Sequence, residues 1–229
     1  MPVDHIAYQA LKKYCDARGV QLIAVSKTKP NEDILSLYET GHRAFRENYV
    51  QELTKKYEDL PKDIQWHFIG HLQSNKIKYI APFVSLIHGV DSLKLLQAID
   101  KEAKKINKII PCLLQVHIAR EESKFGFDVE ELRLAATEIF LEKRFTNVSV
   151  VGLMGMASFT DDHQKLQSEF QQLKSFFDEI KSTYQTEAIS FNTLSMGMSG
   201  DYKTAIECGS NMVRIGSTLF GARSYNVKS

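Results

Sequence analysis

The sequence predicts an α/β protein: a single (β/α)8 TIM barrel with an extra helix at its amino end, one domain over residues 1–229. Three observations lead there. Short apolar runs alternate with amphipathic stretches eight times within about 200 residues. No linker or low-complexity gap interrupts the alternation. Polar residues and glycines gather just after the apolar runs, where a closed barrel places its chemistry. Alternation alone does not prove closure, and an open doubly wound sheet is the competing arrangement.

The elements follow in order. Ile6, Ala7, Ala10, Leu11 and Tyr14 recur at helical spacing, and Gly19 closes that helix. Residues 22–25 are all apolar, as in a strand buried on both faces, and Pro30 stops it. Asn31 is placed to cap a helix over 31–40 that Gly41 ends. A second strand over 44–48 leads to a helix over 49–57, and a third over 65–69 to a helix over 74–80. The fourth strand is assigned to 83–88, with Asp91 capping a helix over 92–106. The fifth, 109–118, runs into a polar loop over 119–126, and Asp128 opens a helix reaching about residue 142. The sixth, 148–154, precedes a long helix from Asp161 or Asp162 to Ile180, with Leu166, Phe170, Leu173, Phe176 and Phe177 on one face. The seventh strand, 188–194, a short helix over 202–208, an eighth strand over 211–215 and a last turn over 218–222 complete the series.

Composition narrows the function. The chain is 43% hydrophobic and 25% charged with a net charge of +1, so it has no basic field with which to hold nucleic acid or an acidic membrane. Its apolar runs are strand-sized, far below a membrane span. The start, Met1-Pro2-Val3-Asp4-His5, lacks the pattern of a secretory signal. Cys15, Cys112 and Cys208 are scattered and odd in number, which suits a reducing compartment. A cytoplasmic protein is expected, and, with no long exposed apolar stripe, a monomer.

The chemistry centres on Lys27. It follows the first strand by one residue and so stands at the carboxyl end, facing the barrel interior. Lysine is rarely buried without a partner. Here it is an ion-pair member, a phosphate holder, a nucleophile for an aldehyde, or simply a side chain snorkelling to solvent. Loops after strands seven and eight form the usual phosphate site of such barrels. Those loops carry Ser195-Met196-Gly197-Met198-Ser199-Gly200 and Arg214-Ile215-Gly216-Ser217. Glycines 197, 200 and 216 let the backbone approach an anion, and Ser199 and Ser217 add hydroxyl donors. Either loop alone is more simply a change of direction; both flanking one mouth favour an anion. A lysine and a phosphate site across one mouth fit pyridoxal 5′-phosphate, with Lys27 forming an imine. Arg214 beside the ring nitrogen would disfavour its protonation, or would serve as a salt bridge inside the barrel.

Six stretches carry a resemblance that spans nearly the whole chain. They are Ala24-Val25-Ser26-Lys27-Thr28-Lys29-Pro30, Glu47-Asn48-Tyr49-Val50-Gln51-Glu52, Trp66-His67-Phe68-Ile69-Gly70-His71-Leu72-Gln73-Ser74-Asn75-Lys76, Gly152-Leu153-Met154-Gly155-Met156, Leu194-Ser195-Met196-Gly197-Met198-Ser199-Gly200-Asp201 and Val213-Arg214-Ile215-Gly216-Ser217. In these the chain resembles the pyridoxal phosphate homeostasis proteins, which share the fold-type III barrel of the alanine racemase N-terminal domain. The resemblance implies an internal aldimine at Lys27 and Arg214 against the pyridine nitrogen. It also implies Ser199, Gly216 and Ser217 around the phosphate, and Asn48 and Met198 lining the pocket. It implies a role in vitamin B6 homeostasis with no assigned reaction, and apo PLP-dependent enzymes as acceptors. Two positions depart from the family's pattern: Arg46 where glycine is usual, and His117 where asparagine is usual.

Other signals have plainer readings. His67 and His71 are four apart, but His67 lies in a strand and no acid stands between them, so no metal site is assigned. The Met154–Met156 and Met196–Met198 pairs suit barrel packing. Lys76, Lys78 and the run Lys101-Glu102-Ala103-Lys104-Lys105 suit solvated helix faces. Residues 123–126 suit a surface loop, and Cys208 has no paired histidine to activate it. The rival function is a PLP-dependent amino-acid racemase. That reaction needs acid-base groups on both faces of the substrate. Lys27 serves one face, no residue is assigned to the other, and the extra β-rich domain of the related racemases is not expected after residue 229.

Overall fold

A computed structural model describes residues 3–119, 125–184, 186 and 190–221. Eight parallel strands pair in sequence order and close on themselves: β1 (Gln21–Val25), β2 (Ala44–Glu47), β3 (Gln65–Phe68), β4 (Leu86–Val90), β5 (Ile110–Val116), β6 (Val148–Gly155), β7 (Thr193–Met198) and β8 (Met212–Ile215). The β1–β8 pairing, with Ile23 opposite Arg214, seals the ring. Nine α-helices are described: α1 (His5–Asp16), α2 (Asn31–Glu39), α3 (Val50–Asp59), α4 (Ile77–Ile80), α5 (Leu93–Lys105), α6 (Val129–Ala136), α7 (His163–Tyr184), α8 (Tyr202–Glu207) and α9 (Ser217–Phe220). The extra helix, α1, is capped by the Asp4 carboxylate, which accepts from the Ala7 N–H. The predicted fold class is therefore the observed one.

Alternation along each strand divides the core in two. Leu22 and Ala24 of β1 join the large shell between sheet and helices, together with Phe45, Trp66, Ile87 and Leu114. Ile23, between them, points inward to a second cluster with Ala44, Ile69, Leu86, Leu113, Met154 and Met212. Side chains two residues apart share a face, so the positions above these inner residues face the same interior nearer the mouth. Close backbone approach demands glycine at two points. A Cβ on Gly70 would fall 1.8 Å from the Asn48 carbonyl oxygen, and one on Gly152 1.7 Å from that of Thr193.

Several boundaries differ from those the sequence suggests. Pro30, not Asn31, occupies the N-cap of α2, because the Asn31 side chain donates instead to Asp59. The α5 cap is the Ser92 hydroxyl, which accepts from the Leu95 N–H while Asp91 accepts from Ser92. Strand β4 begins at Leu86 and runs through Gly89, where a Cβ would press on the Ile69 and Gly70 carbonyls at 3.2 and 3.3 Å. The helix after Asp128 is α-helical to Ala136 and continues as a π-turn, Thr137–Leu141. Strand β7 lies further along than 188–194, because polar Ser195 finds its partners inside the barrel. Most of the predicted loop over 119–126 and residues 187–189 lie outside the described residues.

Candidate functional site

The carboxyl ends of β7, β8, β1 and β2 are consecutive around the ring, and the seven residues the sequence assigned to a cofactor stand there. Arg214 lies within β8, with Gly216 and Ser217 just beyond it. Met198 ends β7 opposite Arg214 and is 36% exposed, with Ser199 following. Lys27 stands two residues past the end of β1, half-buried. Asn48 follows β2 directly. The loops after β7 and β8 touch: the Gly216 N–H donates to Ser199 Oγ over 3.2 Å. The Ser199 hydroxyl keeps its own hydrogen to donate elsewhere.

Arg214 is 2% exposed. Its Nη1 donates to the Ser195 carbonyl (2.8 Å) and to Ser195 Oγ (2.8 Å), and its Nη2 to the Gly155 carbonyl (3.0 Å). These bonds use three of the five N–H groups of a guanidinium. Burial pulls its pKa down to about 10, with Asp201 opposing, so it remains cationic at neutral pH. All three acceptors are neutral, so none of these bonds is the salt bridge that was the alternative reading of Arg214.

From Arg214 a polar chain crosses the interior. Ser195 Oγ lies 3.3 Å from His88 Nδ1, and His88 Nε2 lies 2.9 Å from His67 Nδ1. The assignment that leaves no hydroxyl hydrogen idle runs one way. Arg214 donates to Ser195, Ser195 donates to His88 Nδ1, and the His88 Nε2–H donates to His67. Both rings are then neutral, which their burial enforces. Desolvation, with a contribution from His42, holds His67 at about 4, and desolvation, then His67, Arg214 and Arg46, keeps His88 well below its ordinary value. Sequence reasoning found Arg214 but missed the chain of Ser195, His88 and His67 that it joins. Its signal was a polar residue at an inward position of an otherwise apolar strand: Arg46, His67, His88, Gln115, Ser195 and Arg214, all buried. His71, by contrast, is exposed, stacks on Phe125 and faces Asp91, so the two histidines of the H-x-x-x-H pair occupy different environments.

The mouth also carries a gap in hydrogen bonding. Asn48 Oδ1 is buried without a hydrogen-bond partner. Of the three glycines assigned to anion approach, Gly197 has another reason for its identity. Its φ is +94°, and a Cβ there would fall 2.6 Å from Ala205 Cβ, so it seats β7 on α8. A Cβ on Gly200 would meet nothing, whereas one on Gly216 would press on Val25 at 3.2 Å. Among the described residues, no helix is long and apolar enough to cross a membrane.

The sequence pattern of the family described as "Alanine racemase, N-terminal domain" matches residues 7–224. The chain is 40% identical over 227 residues to the pyridoxal phosphate homeostasis protein of Vibrio alginolyticus, covering 96% of this chain and 94% of that one. It is 38% identical to the human protein of the same name, covering 91% and 78%. Among solved structures it resembles PipY of Synechococcus elongatus with PLP bound, at 34% identity and a TM-score of 0.78, over 89% of this chain and 93% of that one. Alanine racemase of Bartonella henselae, at 16% identity and a TM-score of 0.68 over 94% and 61%, shares the fold alone.

Proposed function

Because the chain belongs to the alanine racemase N-terminal domain family and stands within it among the pyridoxal phosphate homeostasis proteins, we propose that it holds pyridoxal 5′-phosphate at the mouth of its barrel through Lys27 and serves the intracellular vitamin B6 pool by carrying and delivering it. The observation that supports this most is placement: Lys27, Asn48, Met198, Ser199, Arg214, Gly216 and Ser217 all stand at the ends of four consecutive strands.

When bound, the cofactor supplies an aldehyde open to an amine and a pyridine ring conjugated with it. The residues fit that group in four ways. Lys27 offers the amine. Arg214 has two N–H groups left to donate to a ring nitrogen, and its fixed charge disfavours a second positive charge there. The Gly216 N–H is spent on Ser199 Oγ where the two loops meet, which leaves the Ser199 hydroxyl hydrogen and the hydroxyl of Ser217, next in the chain, as the donors offered to a phosphate. Asn48 Oδ1 and the exposed end of Met198 line the remaining side. We read residues 1–229 as one domain, monomeric and cytoplasmic, with apo PLP-dependent enzymes as acceptors.

The test is an absorbance spectrum of the purified protein before and after borohydride. The expected result is a visible band that reduction removes, with the label on Lys27, and no such band in Lys27→Ala. Equal spectra for the two proteins would overturn the assignment. Transfer to an apo-enzyme faster than release into solution supports delivery, and transfer limited by release refutes it.

A further inference from the structure

We infer that Lys56 is a positioning residue for Lys27, acting with Glu47 and Glu52 by gripping the backbone on both sides of it. Lys56 lies on α3 and is not among the mouth residues singled out by sequence, yet it is only 5% exposed. All three of its N–H groups are committed: to the Ser26 carbonyl (2.8 Å), to Glu47 Oε1 (2.8 Å) and to Glu52 Oε1 (2.7 Å). The same two carboxylates reach the residues flanking Lys27. Ser26 Oγ donates to Glu47 Oε1 over 2.7 Å, and the Thr28 N–H donates to Glu52 Oε1 over 2.6 Å.

These contacts hold a turn that its own sequence does not favour. The Lys29 N–H donates to the Ser26 carbonyl over 3.0 Å, closing a β-turn with Lys27 and Thr28 at its centre. Thr28 has φ +64°, the left-handed value that the third residue of a type II turn requires and glycine normally supplies. A β-branched residue is an outlier there and persists only when its surroundings over-determine it. The buried cluster is that surrounding. The Ser26 carbonyl takes a bond from each side, Thr28 is tied by its amide, and Lys27 between them projects from a fixed backbone.

This inference rests on the reading of Lys27 as the cofactor anchor. Linkage joins the Lys27 nitrogen to the aldehyde carbon, and the two amine hydrogens leave with the aldehyde oxygen as water. A misaligned amine slows that step without changing how the rest of the site binds the ring and phosphate. Two probes therefore separate positioning from general damage, both used on the full chain. The first is the second-order rate of reducible linkage to pyridoxal 5′-phosphate. The second is the affinity for pyridoxine 5′-phosphate, which has the phosphate and ring but no aldehyde.

For Lys56→Met and for Glu52→Ala, the expected result is linkage slowed about 10-fold or more, with pyridoxine 5′-phosphate affinity within about 2-fold of wild type. Glu52→Ala removes only the carboxylate that is 22% exposed, so it decides the matter if Lys56→Met does not fold. Unchanged linkage rates, or rate and affinity falling in parallel, would overturn the inference. A wild-type protein that binds pyridoxine 5′-phosphate but forms no reducible linkage would instead overturn the reading of Lys27.

Discussion

Gly70→Ala isolates the steric requirement at the mouth between β2 and β3. The φ of Gly70 lies outside the left-handed region, so alanine introduces no backbone strain and only its methyl matters. That methyl would fall 1.8 Å from the Asn48 carbonyl oxygen, 2.7 Å from the carbonyl carbon and 3.0 Å from its Cα. All three are backbone atoms, so no side chain can swing aside. The strands must separate by about 1 Å or more to restore normal contact. The nearest ladder bond, from the Ile69 N–H to the Glu47 carbonyl at 3.1 Å, lies in the path of that displacement. Overpacking costs about 1–3 kcal/mol and a weakened backbone bond about 1 more, so a loss of about 3 kcal/mol is expected. For a chain of this length that is a fall in Tm of about 10 °C. Because Asn48 moves with the strand, PLP occupancy at limiting cofactor falls as well. Differential scanning calorimetry of the unloaded protein and titration of the visible band measure the two effects. Gly200→Ala is the control, since a methyl there meets nothing within 4 Å. If Gly70→Ala melts within 2 °C of that control, as read with the size scaling above, the close approach that defines this side of the mouth is wrong.

Other outcomes follow from the polar interior. Ser195→Ala removes the oxygen that joins Arg214 to His88, leaving a buried ring nitrogen and one guanidinium N–H unpaired. A loss of about 2–3 kcal/mol is expected, measured by thermal melting, and the band of the loaded protein shifts as Arg214 loosens. Arg214→Met trades three hydrogen bonds for relief from burying a charge whose pKa is already pulled down to about 10. The two effects largely cancel, with a net loss of about 1–3 kcal/mol, while the pH dependence of the visible band changes markedly; an unaltered band would refute the contact with the ring nitrogen. Acid should destabilise the unloaded protein. Burial holds His42 and His67 at about 4 and keeps His88 well below its ordinary value, so their contribution is complete above the unfolded value of 6.5 and is lost as pH falls. Glu47 runs the other way: burial, opposed by Lys56, raises it from 4.5 to about 7, so its contribution is present in acid and lost as pH rises through 7. Three groups against one give a net uptake of about two protons on unfolding near pH 5.5, or about 2–3 kcal/mol per pH unit. A Tm that is flat between pH 5 and 6.5 would refute the buried neutral histidines.

The order of elements was legible because a (β/α)8 barrel repeats one local pattern. Apolar strand, glycine or capping residue, and amphipathic helix can each be read within a window of about a dozen residues. Lys27, Ser199, Arg214, Gly216 and Ser217 were legible for a related reason, since strand ends mark the mouth of such a fold. Boundaries failed where a side chain had two uses. Asn31 could cap α2 or reach Asp59, and it reaches Asp59. Asp91 could cap α5 or accept from Ser92, and it accepts. Gly197 could admit an anion or a packed helix, and the Ala205 methyl occupies the space. Such choices depend on partners distant in sequence.

By itself, then, the amino-acid sequence determined the alternation, the strand ends and the residue types offered there, because each depends on near neighbours and hydrophobic period. Only the tertiary structure decided that β7, β8, β1 and β2 lie side by side, that Arg214 reaches His67 through Ser195 and His88, and that Lys56 on α3 grips the turn around Lys27. The physical reason is closure. Wrapping the sheet into a ring brings inward side chains from opposite strands within 3 Å or so of one another, and hydrogen bonds then select among arrangements that local sequence leaves equal.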